Sequence, residues 1–296
     1  MTLGVTVIDG GLSTALEEVG ADLGGPLWTA RVVIESPGLL VEALRRFVEA
    51  GAAIVTTASY QCGVREFECA GLDASTARRT LTSTVDLARR ATEGTTARVA
   101  ASVGPFGAVL ADGSEYTGRY AASWEDVEKY HRDKLEVLVG AGADLIAVET
   151  IPRADEARLI AGILDDLGAP AAWFSFGARS SRATYGGDDL RTAVTGIAGY
   201  ANLVALGVNC THPDVVDDVL ADLREVAPRI GLIAYPNLGR VWDAGSRSWT
   251  GDSSDPFGAN RLADWTARGV TMIGGCCGVG PADIARLAAG VARSVA

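Results

Sequence analysis

The chain has 296 residues, 48% of them apolar, enough for one large core and within the span that α/β barrels fill as a single domain. A formal net charge of -11 leaves no basic stripe to neutralise phosphates, which argues against nucleic-acid binding. Five cysteines, a sparse and odd number, argue against a disulfide framework and for a reducing compartment with a metal or reactive thiol.

The N-terminal stretch has neither a basic leader segment nor a long apolar one, and no apolar run approaches the roughly 18 residues of a membrane span. A cytoplasmic protein without membrane contact is expected. Short apolar runs then recur eight times, at residues 5–8, 53–58, 99–103, 145–148, 171–176, 203–208, 230–235 and 270–273. Amphipathic patterns between them predict helices over 39–50, 77–91, 124–140, 155–167, 215–226 and 281–292, several ending in an Ala-Gly-Ala stop. Continuous apolar runs alternating with such helices indicate a parallel sheet buried on both faces. Eight units predict a (β/α)8 TIM barrel, one domain over residues 1–296, in preference to an open doubly wound sheet.

Unusual residues gather where the runs end: Asp9-Gly10-Gly11, Ser59-Tyr60-Gln61, Gly104-Pro105, Glu149-Thr150, Asn209-Cys210, Pro236-Asn237 and Cys276-Cys277. In a barrel they meet at one rim. The connections over 107–122 and 237–256 are long enough to be lids.

Adjacent side chains in a strand point to opposite faces, so Cys276 and Cys277 can converge on one atom only if the backbone leaves strand geometry. Gly274, Gly275 and Gly278 permit that departure. Cys210, 66 positions before Cys276, ends an apolar run of the same kind. Three thiolates with one open position suit catalytic zinc, whereas structural zinc favours four protein ligands in short paired spacings. Idle thiols or a disulfide within the doublet are the other readings. Zinc deprotonates a bound thiol outright, so a substrate sulfur in the fourth position becomes a nucleophile at neutral pH. Cys62 and Cys69 are placed outside the site.

Asp9, Glu149 and the flexible amides of Gly10 and Gly11 would together suit an amino acid. Alternatively Asp9 caps a helix over 13–19 and Glu149 pairs with an arginine. His131 and His212 read as solvated helix residues, although His212 lies close to Cys210 in sequence. Arg153 and Arg240 follow rim segments and could meet a carboxylate, while Gly24-Gly25-Pro26 and Tyr185-Gly186-Gly187-Asp188 read as turns. Trp28, Tyr60, Phe106, Tyr116 and Trp242 could present ring faces to an onium group.

The combined segments resemble the homocysteine S-methyltransferase family. Those carrying the resemblance run from Asp9-Gly10-Gly11-Leu12-Ser13-Thr14 through Leu27-Trp28-Thr29-Ala30, Ser102-Val103-Gly104-Pro105-Phe106-Gly107 and Ala111-Asp112-Gly113-Ser114-Glu115-Tyr116 to Gly207-Val208-Asn209-Cys210 and Gly274-Gly275-Cys276-Cys277-Gly278. The resemblance implies a TIM barrel with Zn2+ on Cys210, Cys276 and Cys277 and homocysteine as the incoming thiolate. It implies Asp9 and Glu149 for the substrate ammonium, the Gly10 and Gly11 amides for its carboxylate, and Trp28, Tyr60 and Asn209 around the pocket. The 111–116 segment and the short chain imply the branch using S-methylmethionine or S-adenosylmethionine. Selenocysteine as acceptor, betaine as donor, and a non-catalytic zinc- or thiol-binding barrel remain alternatives. A monomer or small homo-oligomer acting on small molecules is expected.

Overall fold

A computed structural model of the chain describes residues 4–24, 29–239, 241–243, 248–250 and 254–295. Each of the eight apolar runs forms a parallel strand: β1 Thr6–Val7, β2 Ile54–Thr56, β3 Arg98–Val103, β4 Leu145–Ile151, β5 Ala172–Phe176, β6 Leu203–Asn209, β7 Gly231–Tyr235 and β8 Val270–Ile273. Neighbours follow the order β1-β8-β7-β6-β5-β4-β3-β2. The parallel bridge between Ile8 and Ile54 joins the two ends, with Asp9 N donating to Ile54 O at 3.1 Å and Ala53 N to Val7 O at 2.8 Å. The predicted TIM barrel is the observed fold.

The expected helices form over Pro37–Glu49, Ala74–Thr92, Trp124–Gly140, Ala154–Asp166, Pro213–Val226 and Pro281–Val295. Gly51 and Gly142, at left-handed φ values of 102° and 74°, end two of them as the Ala-Gly-Ala pattern requires. Trp124–Gly140 begins with a capping box, in which Ser123 Oγ accepts from Asp126 N and the Asp126 carboxylate accepts from Ser123 N. Both long connections carry structure of their own: a helical turn at Gly107–Leu110 and a tight turn at Ser114–Tyr116 in the first, and a Val241–Asp243/Ser248–Thr250 hairpin in the second.

Alternation along the strands sorts the core into two parts. Ile8, Ile54, Ala100, Ala147, Trp173, Ala205, Ile233 and Met272 fill the lumen, one per strand or strand end. The alanines leave room for the Trp173 indole, whose N–H donates to Tyr235 Oη at 3.0 Å. Val55, Val148, Phe174, Leu206 and Ile273 point outward into the layer shared with the helices.

One expectation fails here. His131 is fully buried, not solvated, with Nε2 2.8 Å from Glu156 Oε1. Glu156 also accepts from Phe106 N at 2.7 Å and from the Tyr120 hydroxyl at 2.6 Å, so a polar cluster stands behind β3 and β4.

Gly207 on β6 pairs with Ser175 on β5 and Ile233 on β7, and a Cβ there would lie 1.7 Å from Ile233 O. Gly207→Ala is therefore expected to destabilise the fold by about 3 kcal/mol through overpacking. Thermal unfolding checks this against Gly199→Ala, whose Cβ would meet nothing within 4 Å.

Candidate active site

Cys210 follows the end of β6 and turns at a φ of 48°, a region that non-glycine residues adopt only under constraint. The constraint is visible. Its N–H donates to Tyr235 O at 3.1 Å, and its carbonyl accepts from the Tyr185 hydroxyl at 2.7 Å and from Asn237 Nδ2 at 3.2 Å. After β8, three amides fasten the second arm of the site: Gly274 N to Ala234 O at 3.1 Å, Gly275 N to Asp9 O at 3.0 Å, and Cys276 N to Pro236 O at 2.8 Å.

The flanking glycines serve differently from what the sequence suggests. Only Gly278 takes a left-handed φ, at 83°. Gly274 and Gly275 are needed for close approach, since a Cβ would fall 2.6 Å from Asp9 O in one case and 2.1 Å from Val279 Cγ1 in the other.

The outcome is a cluster in which all three Sγ atoms lie within 4.8 Å of one another, Cys210 to Cys277 at 3.5 Å and Cys276 to Cys277 at 3.9 Å. Tetrahedral zinc with bonds of about 2.3 Å to sulfur needs its thiolates about 3.8 Å apart. The donor set and spacing fit such an ion, and no fourth His, Cys, Asp or Glu joins the group among the described residues. The cysteines are free thiols, and Cys62 and Cys69 stand apart. Hydrogen bonds from the Cys276 and Cys277 thiols hold Cys210 well below the usual thiol range although burial opposes it, so the cluster favours a thiolate.

Asp9 and Glu149 line the same cavity. Asp9 caps no helix: its carboxylate accepts from Thr56 N at 2.6 Å and Thr56 Oγ1 at 3.0 Å. Glu149 pairs with no arginine among the described residues and accepts from the Ser102 hydroxyl. Burial raises both to about 7, with Glu149 adding to the rise at Asp9 and Cys276 to that at Glu149. Gly10 and Gly11 also face the cavity, but Gly11 N already donates to Val279 O at 2.9 Å.

Tyr60, Asn209 and Tyr116 complete much of the wall. Asn209 is largely committed to the protein, its Oδ1 accepting from Thr150 N at 2.7 Å and Ser175 Oγ at 2.8 Å while Nδ2 donates to Thr150 Oγ1 at 2.7 Å. These bonds tie Thr150, which has a φ of 59°, to the end of β6, two strands away. Trp28 and Arg240 lie outside the described residues, as does the Trp242 side chain. Phe106 packs on Tyr120 and Tyr130, away from the cavity. His212 caps its helix, with Nδ1 accepting from Asp214 N at 3.3 Å, and is no part of the thiol cluster. Arg153 pairs with Asp155 at 2.5 Å.

Sequence reasoning missed Lys134. It is fully buried, donating to Tyr60 O at 3.0 Å and Tyr130 Oη at 3.2 Å, and burial lowers it to about 8. The available signal was its place on the apolar face of its helix, in line with Val127, Tyr130 and Leu138.

Residues 6–291 match the family described as Homocysteine S-methyltransferase. The homocysteine S-methyltransferase of Escherichia coli (strain K12) is 40% identical over 96% of this chain and 94% of that protein. A selenocysteine Se-methyltransferase of Brassica oleracea var. italica is 34% identical over 96% of this chain and 88% of its own length. Among solved structures, the metallated form of the homocysteine methyltransferase MmuM from Escherichia coli superposes with a TM-score of 0.85 at 39% identity, covering 97% of this chain and 96% of that one. Sequence match, barrel and gathered cysteines agree, and the chain belongs to the homocysteine S-methyltransferase family.

Proposed function

We propose that the chain transfers a methyl group from a sulfonium donor, S-methylmethionine or S-adenosylmethionine, to the thiolate of L-homocysteine, giving methionine. The observation that carries this reading is the cavity shared by three convergent thiols and the buried carboxylates of Asp9 and Glu149. Zn2+ held by Cys210, Cys276 and Cys277 would supply a Lewis acid that keeps the acceptor sulfur deprotonated at neutral pH. Asp9 and Glu149 receive the homocysteine ammonium. With the Gly11 amide engaged, Gly10 is left to meet the substrate carboxylate. Tyr60 walls the pocket, together with Trp28 as the family resemblance implies.

A lone pair on the acceptor sulfur forms the new S–CH3 bond as the donor S–CH3 bond breaks, its electron pair remaining on the donor sulfur. The donor leaves as a neutral thioether. Opposite charges are neutralised in this step, which a buried, water-poor cavity favours over bulk water. Free thiols at the site suit a reducing cytoplasm. The name of the Brassica relative supports one further reading, selenocysteine as acceptor.

Two activity measurements test the proposal. Enzyme and homocysteine incubated separately with S-methylmethionine, S-adenosylmethionine and betaine should yield methionine with a sulfonium and not with betaine. Competition between homocysteine and selenocysteine should favour homocysteine. Methionine from no donor would leave a binding barrel.

Purified protein should carry about one zinc per chain, and Cys210→Ser should lose both metal and methyl transfer. Full metal content and activity in that variant would overturn the ligand assignment.

Homocysteine affinity should rise from pH 6 to pH 8, because Asp9 and Glu149, raised to about 7, must ionise to hold an ammonium. Glu149→Gln should flatten that rise in a calorimetric titration. Glu149→Ala should weaken binding by about 1.5 to 3 kcal/mol, one to two decades, with zinc content unchanged.

A further inference from the structure

Three carboxylates line the cavity, and the third, Glu115, has no role in homocysteine binding as described above. It stands on the tight turn Ser114–Tyr116 within the 107–122 connection. That turn is firmly built: Ser114 N donates to Asp112 Oδ1 at 2.9 Å, Tyr116 N to Gly113 O at 3.1 Å, and Ser114 Oγ to Gly107 O at 3.3 Å. The adjacent Tyr116 ring meets Tyr185 edge-on at 5.5 Å, and the Tyr185 hydroxyl holds the Cys210 carbonyl.

Glu115 is only 7% exposed, and its Oε2 is buried without a hydrogen-bond partner. Asp9 has Thr56 and Glu149 has Ser102, whereas among the described residues only the backbone amide of Glu115 itself favours its ionised form, and Oε2 has no partner. Burial raises it to about 7, and nearby Asp112 pushes in the same direction. A buried carboxylate left without a partner in a ligand cavity is a socket for a group that arrives with the ligand.

Homocysteine carries one cation, and Asp9 with Glu149 takes it. The remaining organic cations of the reaction, a sulfonium and an α-ammonium, belong to the other substrate. We propose that Glu115 is the counter-charge for the cationic methyl donor, receiving its sulfonium or its α-ammonium, and that it sets preference for a cationic donor. This rests on the sulfonium-donor reading above.

Glu115→Gln keeps the shape and removes the charge, so the test is steady-state kinetics of both proteins with S-methylmethionine, alongside homocysteine affinity measured without donor. The expected result is a donor KM raised tenfold or more, homocysteine affinity within twofold of wild type, and partial recovery of donor KM in Glu115→Asp. An unchanged donor KM, or an equal loss of homocysteine affinity, overturns the role. Trimethylsulfonium, which has no ammonium, locates the contact: weakening of both donors places the carboxylate at the sulfonium, and weakening of S-methylmethionine alone places it at the ammonium. The sulfonium loses its charge during transfer whereas the ammonium keeps it, so kcat with S-methylmethionine should rise in the first case and stay unchanged in the second. Wild-type protein that makes no methionine from either sulfonium refutes the donor reading itself, a result distinct from failure of Glu115 alone.

Discussion

The left-handed turn at Cys210 is the constraint on which the site depends. A thiol continuing the strand pattern of β6 would point along its face, not toward the end of β8 two strands away. A non-glycine residue in this conformation costs on the order of 1–3 kcal/mol, and it persists only where surrounding bonds over-determine it. Tyr235 and Asn237 at the end of β7 and Tyr185 from the loop after β5 supply those bonds. One layer below, Trp173, Tyr235, Ser175, Asn209 and Thr150 form a hydrogen-bonded chain through the lumen. The packed barrel thus holds the position of one sulfur atom, and a substitution in the lumen layer would be felt at the thiol cluster.

Electrostatics at the rim runs against stability and toward ligand binding. Asp9, Glu115 and Glu149 would be ionised above about pH 4 in an unfolded chain, but each is raised to about 7 when folded. Folded protein therefore binds more protons than unfolded protein between those values, and stability falls as pH rises through that window. A cation bound in the cavity would reverse the shifts. Lys134 compensates Glu149 only in part, because its ammonium is spent on Tyr60 O and Tyr130 Oη behind the wall and is itself disfavoured by burial. The ligand-free site is consequently costly to hold, as expected of a site whose partners are positively charged.

The barrel was legible because strands buried on both faces must be apolar throughout, so each run announced itself and eight of them left few arrangements. The cysteines were legible for a similar reason, since soft ligands at strand ends have few other uses. What the sequence hid was orientation. His131 and Lys134 lie on a helix rich in charge; the spacing of Lys134 with Val127, Tyr130 and Leu138 points inward, but only the placement of that helix against the barrel shows how completely both are buried. The role of Gly274 and Gly275 was hidden as well, because close approach to Asp9 and Val279 is a property of the assembled rim. Asp9 could have been a helix cap on sequence grounds, and only its bonds to Thr56 on the neighbouring strand remove that reading.

Arg153 shows how a rim residue can serve the site without reaching into it. Its Nη1 donates to Gly118 O at 3.0 Å, and its guanidinium lies 5.7 Å from the Tyr120 ring and 5.3 Å from the Trp124 ring, all three partners being in or next to the 107–122 connection. Gly118 takes a φ of 65°, and a Cβ there would fall 2.6 Å from Arg153 Cγ, so the loop and the arginine fit only with glycine at that point. Asp155 fixes the guanidinium from the other side at 2.9 Å and 2.5 Å, and the pairing holds its carboxyl below the usual range. The connection that carries Glu115 and Tyr116 is therefore pinned at its far end to the helix after β4, the strand that bears Glu149. Glu115 and Glu149 are thus tied to one rigid element, and the two walls of the cavity that carry them share a common reference.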